Sequence, residues 1–137
     1  MIYEITVPAE LGNLKDVNDF VVDKLHNLDC SARAQVQIEI AVEEIFVNIA
    51  NYAYNPVIGK ATVRLMVDDE EEQISIQFED EGKPYNPLMR EDPDVTLGIE
   101  ERTVGGLGIY MTKKSMDDVI YRYEEGKNIL TIKKRIK

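Results

Sequence analysis

Hydrophobic and polar positions alternate from the first residues. Met1-Ile2-Tyr3-Glu4-Ile5-Thr6-Val7 has the period of two that marks a half-buried strand, and Pro8 is expected to end it. The period then changes. Leu11, Leu14, Val17, Phe20, Val21 and Leu25 recur at helical spacing. Ser31 is placed to cap a second helix running to about Tyr54, where Asn55-Pro56 closes it. Lys60 to Val67 alternates again, with Ala61, Val63, Leu65 and Val67 on one face. After the acidic turn 68–72, Gln73 to Glu79 alternates through Ile74, Ile76 and Phe78, which predicts a hairpin.

From Asp80 to about Thr103 the periodicity stops, and Gly82, Pro84, Pro87, Pro93 and Gly98 fall within this stretch. A segment this long without periodicity inside a compact domain points to a functional lid or to disorder. Gly105-Gly106-Leu107-Gly108 then opens a helix to about Ser115. Val119 to Tyr123 and Asn128 to Ile136 form a closing hairpin around Glu125-Gly126. The order β-α-α-β-β-loop-α-β-β predicts an α+β fold. It is a two-layer α/β sandwich in which helices cover one face of a mixed, mostly antiparallel sheet.

Within the second helix the pattern carries chemistry. Ile40 to Tyr54 is almost entirely hydrophobic, yet Glu44, Asn48 and Asn51 interrupt it at i, i+4 and i+7 and so share one stripe. A carboxylate and amides buried there without partners would cost a few kcal/mol each, so the stripe calls for something polar against it. A solvated stripe is the plain alternative. An amide oxygen ligates Mg²⁺ well, and a carboxylate one turn away can deprotonate a nucleophile. Asp80-Glu81-Gly82 at a strand exit can accept hydrogen bonds from a ligand amine, with Gly82 letting the backbone turn close by. Glycines opening the helix at 105–108 present backbone N–H groups and a positive dipole end to an anion, typically phosphate.

Composition narrows the classes. The chain has 137 residues, enough for one domain with a real core, and 44% of them are hydrophobic. Its net charge of −10 disfavours non-specific nucleic-acid binding. A single His26 excludes metal sites built on several imidazoles and makes a Ser-His-Asp or Cys-His nucleophile improbable. The lone Cys30 excludes an internal disulfide and suits a reducing compartment. No apolar run approaches the ~20 residues of a membrane span, and the N-terminus lacks a signal-peptide pattern, so a cytoplasmic location is expected. The P-loop pattern is absent. Gly106-Leu107-Gly108 lacks the third glycine of the dinucleotide-binding fingerprint.

Taken in order, the three elements resemble the N, G1 and G2 boxes of the GHKL ATPase/kinase superfamily, which has the Bergerat ATP-binding fold of gyrase B, MutL and histidine kinases. Ala41-Val42-Glu43-Glu44-Ile45-Phe46-Val47-Asn48 with Asn51-Tyr52-Ala53-Tyr54 is similar to the N box. Phe78-Glu79-Asp80-Glu81-Gly82-Lys83-Pro84-Tyr85-Asn86-Pro87 is similar to the G1 box. Gly105-Gly106-Leu107-Gly108-Ile109 is similar to the G2 box. The nearer resemblance is to the stand-alone anti-sigma-factor serine/threonine kinases of the SpoIIAB and RsbW type, and it covers nearly the whole chain as one domain, 1–137. Two positions depart from it: Pro84 replaces the second G1 glycine common in the wider superfamily, and Tyr52 stands where close relatives often carry histidine.

That resemblance implies ATP and Mg²⁺ as cofactors. Glu44 would be the general base, and Asn48 would hold the magnesium, with Asn51 beside it as a ligand contact. Asp80 would bind the adenine amino group, supported by Gly82 and by Thr131 on the last strand. Gly105, Gly106, Leu107 and Gly108 would cradle the phosphates next to Ile109, and 83–104 would be the ATP lid. The implied function is a serine/threonine kinase that phosphorylates an STAS-domain antagonist in a partner-switching system, with a sigma factor as a further partner. The alternative is an ATP-binding switch module with little or no kinase activity. Homodimers are common in that family.

Overall fold

The computed structural model describes residues 2–54, 57–68, 70, 72–89 and 106–136. β1 runs from Ile2 to Pro8, and a 3₁₀ turn over Leu11–Asn13 leads into α1, Leu14–His26. Pro8 is the last residue of the strand rather than its terminator, paired with Lys60. β1 has a single neighbour, β2, so a missing N–H is tolerated there. The turn between the helices puts Asp29 at φ 56°, a left-handed conformation that Asp adopts more readily than most residues. Ser31 then caps α2, Ala32–Tyr52, by accepting a hydrogen bond from Ala34 N at 3.2 Å.

β2, Lys60–Val67, and β3, Gln73–Asp80, form the expected hairpin. α3 spans Gly106–Ser115, followed by β4, Asp118–Glu124, and β5, Lys127–Arg135. Glu125 and Gly126, at φ 52° and 78°, make the tight turn between these last strands. The strand order is β1-β2-β3-β5-β4. Every pair among the described residues is antiparallel, so the parallel component of the expected mixed sheet is not found among them. The cause lies in the connections. Two hairpins join neighbours directly, and the long excursion between β3 and β4 places β4 at the edge, leaving β5 to pair antiparallel with β3.

One face of this sheet is apolar and the other polar. Val63 and Leu65 of β2, Ile74, Ile76 and Phe78 of β3, and Leu130 and Ile132 of β5 point inward. They meet the buried stripes Val17, Val21, Leu25 of α1 and Ile38, Ala41, Val42, Ile45, Phe46, Ile49 of α2. Phe46 and Phe78 are among the largest fully buried side chains, at 0% and 1% exposure. On the opposite face Arg64 donates to Glu4 at 2.6 Å and to Glu79 at 3.1 Å, and Thr6 meets Thr62 at 2.9 Å. The helical layer therefore covers one face only. Among the described residues, no helix is long and apolar enough to cross a membrane.

Candidate functional site

A pocket opens between α2, the sheet and α3. Ile45, Asn48, Ile49 and Tyr52 line it from α2, Phe78 and Asp80 from β3, and Ile109 from α3. Lys83, Tyr85 and Pro87 line it from the segment after β3, Tyr121 from β4, and Asn128 and Leu130 from β5. Its walls are mostly apolar, with a few polar groups converging at its deep end.

Asp80 forms that end. Period-two alternation along β3 carries Ile74, Ile76 and Phe78 into the core and puts Asp80 on the same face, 5% exposed. Its Oδ1 accepts from Gly82 N at 2.9 Å and from Asn128 Nδ2 at 2.9 Å. Burial pushes the carboxyl above its ordinary value of 3.8, with the neighbouring charge of Glu79 a minor contribution in the same direction. The two hydrogen bonds, which favour the ionised form, pull it back.

Gly82 is required by close approach. A Cβ there would lie 2.1 Å from the carbonyl oxygen of Ala53, at the C-terminal end of α2, and Lys83 N donates to that oxygen at 3.0 Å. Tyr54 completes the junction, donating to Lys60 O at 2.7 Å and accepting from Glu81 N at 2.8 Å. The turn after β3 is thus fastened to the end of the helix that carries the polar stripe.

At the other end of the site, Glu44 meets α3. A Cβ on Gly108 would fall 2.0 Å from the Glu44 carboxyl carbon and 2.1 Å from Oε2, so glycine at 108 makes room for this carboxylate. Half-buried on α2, Glu44 therefore stands against the first turn of α3, where unsatisfied N–H groups and the positive dipole end attract negative charge. Gly106 opens that helix, Leu107 follows it, and Ile109 is buried against the pocket. Gly105 lies outside the described residues, as does 90–104 of the segment expected to form a lid.

Two expected site residues fall elsewhere. Thr131 faces away from the pocket: it pairs with Gln77, on the polar side of the pleat, while Leu130 and Ile132 point to the core. Side chains alternate, so no shift short of a register slip would bring it in. Asn51 is exposed and is not among the pocket's lining residues. A helix advances about 100° per residue, so Tyr52 lies about 40° from Asn48 and Asn51 about 60° on the other side. Tyr52 takes the lining position that was expected of Asn51.

Asn128 was not foreseen as a site residue. Its signal is legible in retrospect. On β5 it alternates inward with Leu130 and Ile132, and it is cross-strand partner to Asp80, where an apolar residue would ordinarily stand. Its position two residues after the hairpin turn disguised it.

Among the described residues, no group of three or more His, Cys, Asp or Glu side chains could hold a metal ion by itself. The polar groups present fit Mg²⁺ bound in another way. Asn48 offers one amide oxygen at the pocket wall with Glu44 one turn away, and Mg²⁺ commonly takes one or two protein oxygens while phosphates and water supply the rest.

Comparisons with known proteins bear on the family and the fold. The profile of a family described as "Histidine kinase-like ATPase domain" matches residues 7–134. The serine-protein kinase RsbW of Bacillus mycoides is 27% identical over 134 residues, covering 95% of this chain and 82% of that protein. That of Bacillus cereus is 26% identical over 98 residues, 70% of this chain and 61% of its own length, so the match spans about three fifths of that relative. The crystal structure of the RsbU and RsbW domains of Rv1364c from Mycobacterium tuberculosis superposes with a TM-score of 0.69 at 14% identity. It covers 99% of this chain and 32% of the other, a likeness of fold.

Proposed function

Because the chain belongs to the histidine kinase-like ATPase domain family, we propose that it is a cytoplasmic ATP-dependent serine/threonine kinase. Its substrate is an STAS-domain antagonist, and a sigma factor is the regulator released or held by the exchange. One observation carries the reading. A buried acid, Asp80, and an amide, Asn48, line the pocket, and the carboxylate of Glu44, one turn from Asn48 on α2, meets the first turn of α3.

Asp80 accepts a hydrogen bond from the exocyclic amine of adenine, and the apolar walls formed by Ile45, Ile49, Ile109 and Leu130 enclose the base. Backbone N–H groups at the start of α3, from Gly106 through Gly108, hold the phosphates, with Gly105 before them in sequence as a further expected contact. Asn48 would bind Mg²⁺, which when bound neutralises charge on the phosphates. Glu44 takes the proton of the attacking serine or threonine hydroxyl. The hydroxyl oxygen bonds to the γ-phosphorus as the bond from that phosphorus to the β–γ bridging oxygen breaks, and ADP leaves. Little covalent chemistry falls to the protein, so rate depends on holding the acceptor in line.

The test uses the full chain, labelled ATP and purified STAS-domain proteins from the same genome. The parent is expected to bind Mg-ATP and label a serine or threonine of one of them. Glu44→Gln is expected to bind ATP and leave that protein unlabelled. Labelling by Glu44→Gln at the parent's rate would remove Glu44 as base. Binding without transfer by the parent would select the switch module instead, and no binding of ATP would sink both.

A further inference from the structure

Asn128 is 6% exposed at the start of β5, and every hydrogen-bonding capacity of its amide is engaged by the protein. Nδ2 donates to Asp80 Oδ1 at 2.9 Å and to Lys83 O at 2.9 Å, with Gly82 O at 3.4 Å. Oδ1 accepts from Tyr85 N at 3.1 Å and from the Tyr121 hydroxyl. Two N–H groups and two lone pairs are the whole inventory of an amide, so Asn128 has nothing left to offer a ligand. Asp80 differs. Its Oδ1 takes both Gly82 and Asn128, and no described hydrogen bond reaches Oδ2. Since no fully buried side-chain oxygen among the described residues lacks a partner, Oδ2 is open to the pocket.

We infer that Asn128 is a positioning residue that sets which nucleotide base the pocket accepts. It holds Asp80 by one oxygen and turns the other inward. It also removes its own donors from reach, so the deep end of the pocket presents a hydrogen-bond acceptor without a competing donor. A purine with an exocyclic amine at that point is satisfied there. One with an oxo group would set oxygen against oxygen, leaving two acceptors unpaired. The same amide ties Asp80 to the backbone of Lys83 and Tyr85 at the root of the expected lid and to Tyr121 on β4. Base reading and lid root therefore share one side chain. This inference rests on the ATP reading above and deepens it.

The informative variant is Asn128→Asp, which keeps the shape but replaces Nδ2 by an oxygen beside Asp80 Oδ1. Two carboxylates this close cannot both stay ionised without strong repulsion, and the pair binds a shared proton as pH falls. The shared proton restores a donor in the place of Nδ2. The charged or titratable groups around the pair are Lys83 and Tyr85 after β3, Tyr121 and Tyr123 on β4, Tyr52 on α2, Tyr54 just after it, and Glu79 and Glu81 on either side of Asp80.

Affinity for Mg-ATP and Mg-GTP is measured by calorimetry on the full chain from about pH 8 down to about pH 5.5, where a carboxyl pair is expected to take up its proton. The parent is expected to prefer ATP. Asn128→Asp is expected to lose about tenfold or more of its ATP affinity at the upper end and to regain part of it at the lower, a recovery absent from the parent. Asn128→Ala, the second variant, is expected to lose ATP affinity at every pH, with its ATP-to-GTP ratio falling toward one. Parent-like affinity and ratio in Asn128→Ala, or a flat pH profile in a folded Asn128→Asp, would overturn the inference while leaving the ATP reading intact. A parent that binds no adenine nucleotide would overturn the ATP reading, and this inference with it.

Discussion

Replacing Gly108 by alanine separates the geometry of the site from the stability of the fold. The added methyl would lie 2.0 Å from the carboxyl carbon of Glu44 and 2.1 Å from its Oε2. An ordinary carbon–carbon contact needs about 3.5 Å, so the carboxylate must withdraw by roughly 1.5 Å. What yields is the end of a flexible side chain on α2, and an off-rotamer glutamate costs on the order of 1 kcal/mol. Alanine in place of glycine inside a helix returns up to about 1 kcal/mol through backbone entropy. Withdrawal also weakens the attraction between Glu44 and the N-terminus of α3, about 0.3–1 kcal/mol, so the net cost is up to about 1 kcal/mol.

The expected melting temperature of Gly108→Ala is therefore within a few degrees of the parent, since about 1 kcal/mol moves a domain of this size by roughly 3–5 °C. Phosphoryl transfer should respond differently. Displacing a catalytic group by about 1 Å costs on the order of a hundredfold in rate. Differential scanning calorimetry and single-turnover transfer to the protein substrate measure the two quantities on one preparation. A variant that melts with the parent and transfers at the parent's rate would refute the placement of Glu44 against α3 as the catalytic geometry. A melting temperature lower by ten degrees or more would refute the claim that only a side-chain end is displaced.

Asn48→Ala is expected to abolish Mg-ATP binding with the fold intact; unchanged nucleotide affinity by calorimetry would exclude Asn48 as the magnesium-holding residue. Asp80→Asn is expected to lose adenine-nucleotide binding while melting at or above the parent's temperature at neutral pH. The sign follows from the carboxyl, whose value in the folded chain is raised above 3.8, chiefly by burial. The folded state then binds the proton more firmly than the unfolded one, so the contribution of Asp80 to stability grows as pH falls from its folded value toward 3.8 and is unfavourable above that window. The advantage of Asp80→Asn should shrink through the same window. An advantage that grew on acidification would contradict the raised value.

The polar interruptions of α2 were readable because a helix so apolar has little reason to carry Glu44 and Asn48 on its surface without something to meet them. The β2–β3 hairpin was readable because alternation is clean in both strands, whereas β5 buries Asn128, Ile129 and Leu130 in succession. What sequence periodicity could not supply was the face that each residue of β5 presents to its neighbour. Whether Asn128 or Thr131 enters the pocket depends on the register with β3, and that is set by a pairing 48 positions apart, between Asp80 and Asn128. The glycines show a related limit. Gly82 and Gly108 were expected to admit a ligand, and the nearest atoms to both are the protein's own: a helix-end carbonyl and the Glu44 carboxylate. Long-range contact, which one-dimensional spacing does not encode, decides what a glycine makes room for.

Charge adds a last constraint on the proposed chemistry. The chain carries a net charge of −10, and a triphosphate brings several more negative charges to a pocket that already holds Asp80 and has Glu44 beside its phosphate end. Among the described residues that line the pocket, Lys83 is the one cation, and it follows β3 at the adenine end. The dipole of α3 amounts to roughly half a unit of positive charge, too little to offset a triphosphate next to a carboxylate. On the proposed reading, nucleotide binding must therefore lean on a divalent cation at Asn48 more heavily than it would in a pocket lined with lysine and arginine. Chelation of Mg²⁺ should cost this protein far more affinity for ATP than for adenosine, which meets the same Asp80 and brings no phosphate. Equal losses for the two ligands in an EDTA titration would place the metal dependence in the fold instead of at the phosphates.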